Sequence, residues 1–237
     1  MMSDRRKNVD DVQNLLQPHT GLDSERTTKL YNNWAKSYEK DLELLDYQAP
    51  QLALDFLIGN LSGNFKEVQV LDVACGSGLV AKMMFELGFR KFVGVDSSKG
   101  MLDLAAETGF YQDLRQALLG TEPLPAQTSS GGFDLVILVG GLGVGFIPVS
   151  VVRELCKAAR AGGLICMAKG NHTGAAEEEY QKTLDEEVRL MEEEGLWSRV
   201  AFKQVDGYMV NPYLKTDKKE KIYISGSLYL YKKSSSV

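Results

Sequence analysis

The chain has 237 residues, 44% hydrophobic and 25% charged, with a formal net charge of −5. That is the composition of an ordinary globular protein with room for one sizeable core rather than two full domains. The acidic balance argues against broad electrostatic capture of nucleic acid, and no apolar run approaches the ~20 residues needed to cross a bilayer, so no membrane role is expected.

In chain order, residues 1–27 are expected to be a weakly ordered tail. Met1 to Asp10 is polar and lacks the apolar stretch of a secretory signal. The basic clusters Arg5-Arg6-Lys7 and Lys215, Lys218, Lys219, Lys221 read as a solvated tail and a solvated loop. The pattern over 24–45 is helical, with Leu30, Trp34 and Tyr38 at four-residue spacing. A second helix is expected over 50–60, before the break at Ser62-Gly63-Asn64.

Short apolar runs then alternate with helical patterns. Strands are expected at 67–73, 91–96, 112–119 (a weaker signal), 133–139 and 164–168. Helices are expected at 78–87, 98–108 and 149–161, the first two stopped by Gly88 and Gly109. Phe133-Asp134-Leu135-Val136-Ile137-Leu138-Val139 is almost continuously apolar, as a parallel strand covered on both faces requires. An acidic helix follows at 175–194, with Tyr180, Leu184, Val188 and Met191 as its apolar stripe. Its glutamates form a charged outer face rather than a metal site. Two runs, 200–208 and 222–231, have no helix between them and read as an antiparallel pair, with Asn211-Pro212-Tyr213 in a turn. The fold class is therefore α/β: a Rossmann-like open sheet of seven strands, mostly parallel, with a C-terminal antiparallel hairpin and helices on both faces.

The chemistry concentrates at 68–96, which reads strand, glycine-rich turn, helix, strand. Gly76 and Gly78 clear the backbone for a ligand, and Asp96, ending the second strand, offers a carboxylate to ribose hydroxyls. Gly76-Ser77-Gly78-Leu79-Val80-Ala81 also fits the dinucleotide pattern, so an NAD(P)-dependent oxidoreductase has to be weighed. Asp72 at the turn entry speaks against that reading, because a fixed negative charge suits an ammonium and a sulfonium better than a pyrophosphate. The spacing also extends backwards as Asp72-x-Ala74-x-Gly76-x-Gly78, and Tyr229 to Lys233, the one Tyr-x-x-x-Lys match, lies in an expected strand.

On these motifs the chain resembles the class I S-adenosylmethionine-dependent methyltransferases. The matching segments are Tyr31-Asn32-Asn33-Trp34-Ala35-Lys36-Ser37-Tyr38, Leu44-Leu45-Asp46-Tyr47-Gln48-Ala49-Pro50, 70–80, 94–98, 120–125, 133–141 and 161–164. The resemblance implies one domain over 28–233: N-terminal helices at 28–62, a cofactor-binding core at 63–170, and a helix plus antiparallel hairpin at 171–233. It implies S-adenosylmethionine as methyl donor and S-adenosylhomocysteine as product. Asp72, Ala74, Gly76 and Gly78 would line the methionine end. Asp96 would hold the ribose, with Ser97 and Met101 beside the adenosine and Leu119 and Gly120 near the adenine. Gly140 and Gly141 would lie beneath the transferable methyl, and the helix carrying Trp34 and Tyr38 would close as a lid. Ala74 replaces the first glycine of the family turn, and Gly120 stands where an acid is common.

The expected activity is in-line methyl transfer to a small-molecule acceptor. The alternatives are a protein or RNA acceptor reached through a partner, and a cofactor-binding scaffold that transfers nothing. Val139-Gly140-Gly141-Leu142 replaces the Asn/Asp-Pro-Pro-Tyr/Phe of amide and amine methylators. No catalytic residue is named, because the donor brings its own leaving group. No metal is expected, since His19 and His172 have no zinc-like spacing. Cys75, Cys156 and Cys166 read as reduced packing residues of a cytoplasmic or nuclear protein.

Overall fold

The computed structural model describes residues 6–17, 23–125, 131–214 and 221–235. Its seven-stranded sheet comprises β1 (Gln69–Val73), β2 (Lys91–Asp96), β3 (Tyr111–Gln116), β4 (Phe133–Val139), β5 (Ala159–Gly170), β6 (Trp197–Val210) and β7 (Tyr223–Lys233), in the order β3-β2-β1-β4-β5-β7-β6. The first five strands pair in parallel. β7 runs antiparallel to both β5 and β6, between which it is inserted.

Alternation along the strands sends side chains to two covered faces. Val70, Phe92, Leu135 and Ile137 pack with Leu54 and Leu57 of α4 (Ala49–Ile58) and with Val80 and Met84 of α5 (Leu79–Glu86). Leu71, Val93, Val136 and Leu138 face the other way. They meet Val152 and Leu155 of α7 (Val151–Ala158) and Leu184, Val188 and Met191 of α8 (Ala175–Glu193). The apolar stripe expected on the acidic helix is the buried one. α6 (Lys99–Glu107) connects β2 to β3.

Four expectations need adjustment. The single helix over 24–45 is α2 (Ser24–Trp34) and α3 (Tyr38–Leu44), joined by a 3-10 turn at Ala35–Ser37. The third strand ends at Gln116 rather than 119; its middle is open to solvent on both faces, as befits an edge strand. β5 and β6 are longer than their apolar runs.

The fourth concerns the tail. Within the stretch expected to be weakly ordered lies α1 (Val9–Leu16), capped by Asn8, whose side chain accepts from the Asp11 N–H. Val12 is fully buried and Leu16 nearly so, in a cluster with Trp34, Leu45, Tyr208 and Val210. Two such side chains contribute roughly 1.5–3 kcal/mol each, enough to hold a short helix. Gln13, also buried, donates to the carbonyls of Asn211 (2.8 Å) and Leu214 (3.0 Å). Asn211 Oδ1 in turn accepts from the Tyr213 and Leu214 N–H groups, the expected turn. Arg5, His19, Lys215, Lys218 and Lys219 lie outside the described residues. Among the described residues the three cysteines are free and buried, and no helix is long and apolar enough to cross a membrane.

Candidate active site

The strand order reverses between β1 and β4, and a cleft opens beyond their carboxyl ends, as open α/β sheets dictate. On the β1 side the chain turns through Ala74-Cys75-Gly76-Ser77-Gly78, with left-handed φ at Ala74 (56°), Gly76 (55°) and Gly78 (93°). Glycine takes that conformation freely, whereas alanine pays roughly 1–2 kcal/mol. The turn is closed by the Gly78 N–H to the Cys75 carbonyl and anchored by the Cys75 N–H to the Val95 carbonyl, both 3.0 Å. A methyl group added at Gly76 would meet nothing within 4 Å, so the backbone there is open to close approach by a ligand.

Two carboxylates support the cradle. Asp96 accepts the Gly76 N–H at 2.9 Å on one oxygen and the Ser98 N–H at 2.8 Å on the other. Burial raises its pKa, and those N–H bonds offset part of the effect. Asp72 lies deeper, 1% exposed, with the Tyr111 hydroxyl donating to it at 2.7 Å. Burial pushes its pKa up to about 7, opposed by the Tyr111 bond and reinforced by the charge of Asp96. The Cys75 thiol is pushed well up by burial and by both carboxylates, which fits a packing role.

On the β4 side, Gly140 (φ 75°) donates its N–H to the Ala168 carbonyl at 2.9 Å. A side chain there would collide with the Tyr47 hydroxyl. Across the mouth runs α2. Ser24 and Thr27 donate to the carbonyls of Phe146 (3.2 Å) and Gly145 (2.8 Å) on the loop after β4. Thr28 donates to Ser97 Oγ (2.9 Å), while Asn32 Oδ1 accepts from Ser98 Oγ and the Gly100 N–H, both 2.9 Å.

Two adjoining spaces with shared walls result. The inner one, about 100 Å³, brings together Tyr38, Ala74, Gly76, Asp96, Ser97, Leu119, Gly140 and Gly141 from the sequence-derived set. The outer one, about 320 Å³, is walled by Trp34, Tyr38, Tyr47, Tyr208 and Tyr213 and shares Gly140. Four expected residues stand outside both. Asp72 is beneath the turn; Gly78 caps α5 against Tyr111 and Thr108; Met101 is buried at the start of α6, 1% exposed; and Gly120 packs on Pro148. Trp34 is pinned from behind, its indole N–H donating at 2.7 Å to the fully buried Asp41, which also accepts from Arg6.

Sequence reasoning missed Tyr31, Tyr47 and Phe146, which line both spaces. Tyr31 stacks at a tilt on Trp34 and Tyr38, with centroids 5.6 and 5.9 Å apart, and the 31, 34, 38 spacing is a helical aromatic stripe that could have revealed it. Phe146 sits in an irregular loop and carries no such signal. Burial pushes the Tyr47 hydroxyl up to about 12, opposed by a hydrogen bond with Tyr208.

A family model described as a methyltransferase domain matches residues 64–223. The chain is 39% identical over 176 residues to human methyltransferase-like protein 27, covering 74% of this chain and 70% of that protein. It is 30% identical over 119 residues to the ubiquinone biosynthesis O-methyltransferase of Caulobacter sp. strain K31, a match spanning 48% of this chain and 46% of that enzyme. Among solved structures, the S-adenosylmethionine dependent methyltransferase from Mesorhizobium loti superposes with a TM-score of 0.52 at 14% identity, over 76% of this chain and 96% of the other, a likeness of fold.

Proposed function

This chain belongs to the methyltransferase-domain family, and on that premise we propose that S-adenosylmethionine binds along the 74–78 turn and the inner space, reaching toward the outer one, and that a small-molecule methyl acceptor enters the outer space. The observation that carries the reading is the open Gly76 turn with the Asp96 carboxylate bonded to its backbone, both on the wall of the inner space. Each Asp96 oxygen spends one lone pair on a backbone N–H and keeps others for ribose hydroxyls. Asp72 supplies negative charge beneath the turn, suited to the donor's cationic methionine end. Ala74, Gly76 and Gly78 would follow that end, Ser97 and Met101 the adenosine, and Leu119 and Gly120 the adenine. Gly140 and Gly141 would form the floor under the methyl, and α2, with Tyr38 and Trp34, would serve as the lid.

When bound, S-adenosylmethionine supplies an electrophilic methyl on a sulfonium, with a neutral thioether as leaving group. The protein's share of the work is alignment and exclusion of water. The aromatic cleft and the helix across its mouth can do both, an effect worth several kcal/mol. The domain is proposed to span 28–233, with α1 packed onto it, in a cytoplasmic or nuclear setting that suits its free thiols. The ubiquinone-pathway relative supports a small-molecule acceptor. Family membership displaces the nicotinamide alternative.

Titration calorimetry of the full chain is the test. Micromolar-range binding of S-adenosylmethionine, and none of reduced nicotinamide dinucleotide, is expected; the reverse would overturn the reading. Affinity without tritiated-methyl transfer to any cell-extract fraction would identify a scaffold, and label in macromolecules would identify a protein or RNA acceptor.

A further inference from the structure

Beyond the methyl floor, the outer chamber combines a wall of tyrosines with one imidazole. His172 lies two residues past the end of β5, the strand whose Ala168 carbonyl receives the Gly140 N–H. It lines the chamber together with Glu177, and its ring lies 5.6 Å from that of Tyr213. Burial, then the charge of Lys169, lowers its pKa to about 4, so at neutral pH the imidazole is uncharged and has a free lone pair.

The charges around the chamber cancel. Glu177 is the carboxylate on its wall, and Lys169 Nζ, on a side chain 1% exposed, stands 3.8 Å from it. Among the described residues no lysine or arginine lines the chamber. Among the described residues, a phosphate or carboxylate on the acceptor would find no cation on that wall. The chamber is also a deep cleft rather than a flat surface. Leu16 of α1, Pro212 and Tyr213 form its outer side, and Gln13 ties that helix to the 211–214 loop. Its roughly 320 Å³ and aromatic lining suit a molecule of one or two rings.

The geometry points to a neutral phenol as the acceptor, bound in the chamber with His172 receiving its proton. This rests on the methyltransferase reading above. The phenolic O–H bond breaks and its proton passes to the imidazole nitrogen. An oxygen lone pair forms the new bond to the methyl carbon as the carbon–sulfur bond breaks, and that electron pair stays on sulfur. Charge balances: the sulfonium's positive charge passes to the imidazole with the proton, and because burial and Lys169 disfavour the imidazolium, that proton then leaves to water.

The test uses 4-nitrophenol and 4-nitroanisole as probes on the full chain saturated with S-adenosylhomocysteine. The two differ in the single proton that His172 would accept. Direct binding is expected to favour 4-nitrophenol by about tenfold, and His172→Ala is expected to abolish the preference while leaving S-adenosylmethionine affinity unchanged. Tritiated-methyl transfer to 4-nitrophenol should fall roughly 100-fold in His172→Ala and partly return with added imidazole, which a purely structural loss would not allow. Should that variant not fold, His172→Leu takes its place, accepted on its donor affinity. Failure of S-adenosylmethionine to bind the parent chain sinks the methyltransferase reading itself. Donor binding with no phenol binding, with an undiminished preference in the variant, or with transfer to tyramine nitrogen instead of phenolic oxygen overturns this inference alone.

Discussion

Thr27 and Thr28 are neighbours on α2, yet their hydroxyls bind opposite banks of the cleft. Thr27 donates to the Gly145 carbonyl after β4 at 2.8 Å, and Thr28 to Ser97 after β2 at 2.9 Å. The helix is thus fastened at both sides by contacts worth about 1 kcal/mol each. Thr27→Val with Thr28→Val is expected to weaken S-adenosylmethionine binding by roughly tenfold and to raise amide exchange in α2, with the sheet still protected. Unchanged affinity and exchange would mean that the helix is merely part of the core.

Asp96 holds both sides of the cradle in register. Asp96→Ala removes the acceptor for two backbone N–H groups and the proposed ribose contact together. Donor affinity should drop tenfold or more by calorimetry, with a stability loss of about 1–3 kcal/mol by denaturant titration. A folded variant with parental affinity would take Asp96 out of the site.

Asp72 makes stability depend on pH. In the fold its proton leaves near pH 7, and in the unfolded chain near the ordinary 3.8. Between those values the folded state holds the extra proton, so stability is full below about pH 4, falls as pH rises, and levels above about 7. Asp72→Asn stays neutral throughout. It should match the parent near pH 4 and exceed it at pH 8 by up to roughly 4 kcal/mol. The same variant should bind the cationic donor more weakly and lose the rise in affinity between pH 5 and 8. Denaturation curves whose gap is the same at both ends of the range would refute this.

Ala74 carries strain that glycine would not. Ala74→Gly removes roughly 1–2 kcal/mol of left-handed cost and adds roughly 0.5–1 kcal/mol of unfolded-chain entropy. A net gain of about 0.5–1 kcal/mol is expected, measured as a higher denaturant midpoint at an unchanged slope. A loss of stability would show that the methyl's packing outweighs its strain.

Legibility from sequence followed the range of the contacts involved. The parallel strands were readable because burial on both faces makes their runs continuously apolar, as in Phe133–Val139. The turn and Asp96 were readable because backbone clearance and ribose recognition depend on residues close together in the chain. The outer chamber was not. Tyr47, Phe146, His172 and Tyr208 come from four separate segments and meet only when the sheet is assembled. The helix α1 was hidden for a related reason. Its apolar face is short, and its value appears only against Tyr208 and Val210, some 200 residues away. Gly120 was placed by resemblance alone; it packs against Pro148, outside both spaces but next to Leu119, which lines the inner one.

The position of β7 bears on how the molecule is made. It is synthesised after β6 yet lies inside it, hydrogen-bonded to β5 on one side and β6 on the other. While the ribosome is still translating, β5 therefore presents a bare hydrogen-bonding flank, the kind of template that recruits stray segments. Nascent chains halted before Tyr223 should accordingly associate with holdase chaperones, and release should coincide with emergence of the Tyr223–Lys233 ribbon.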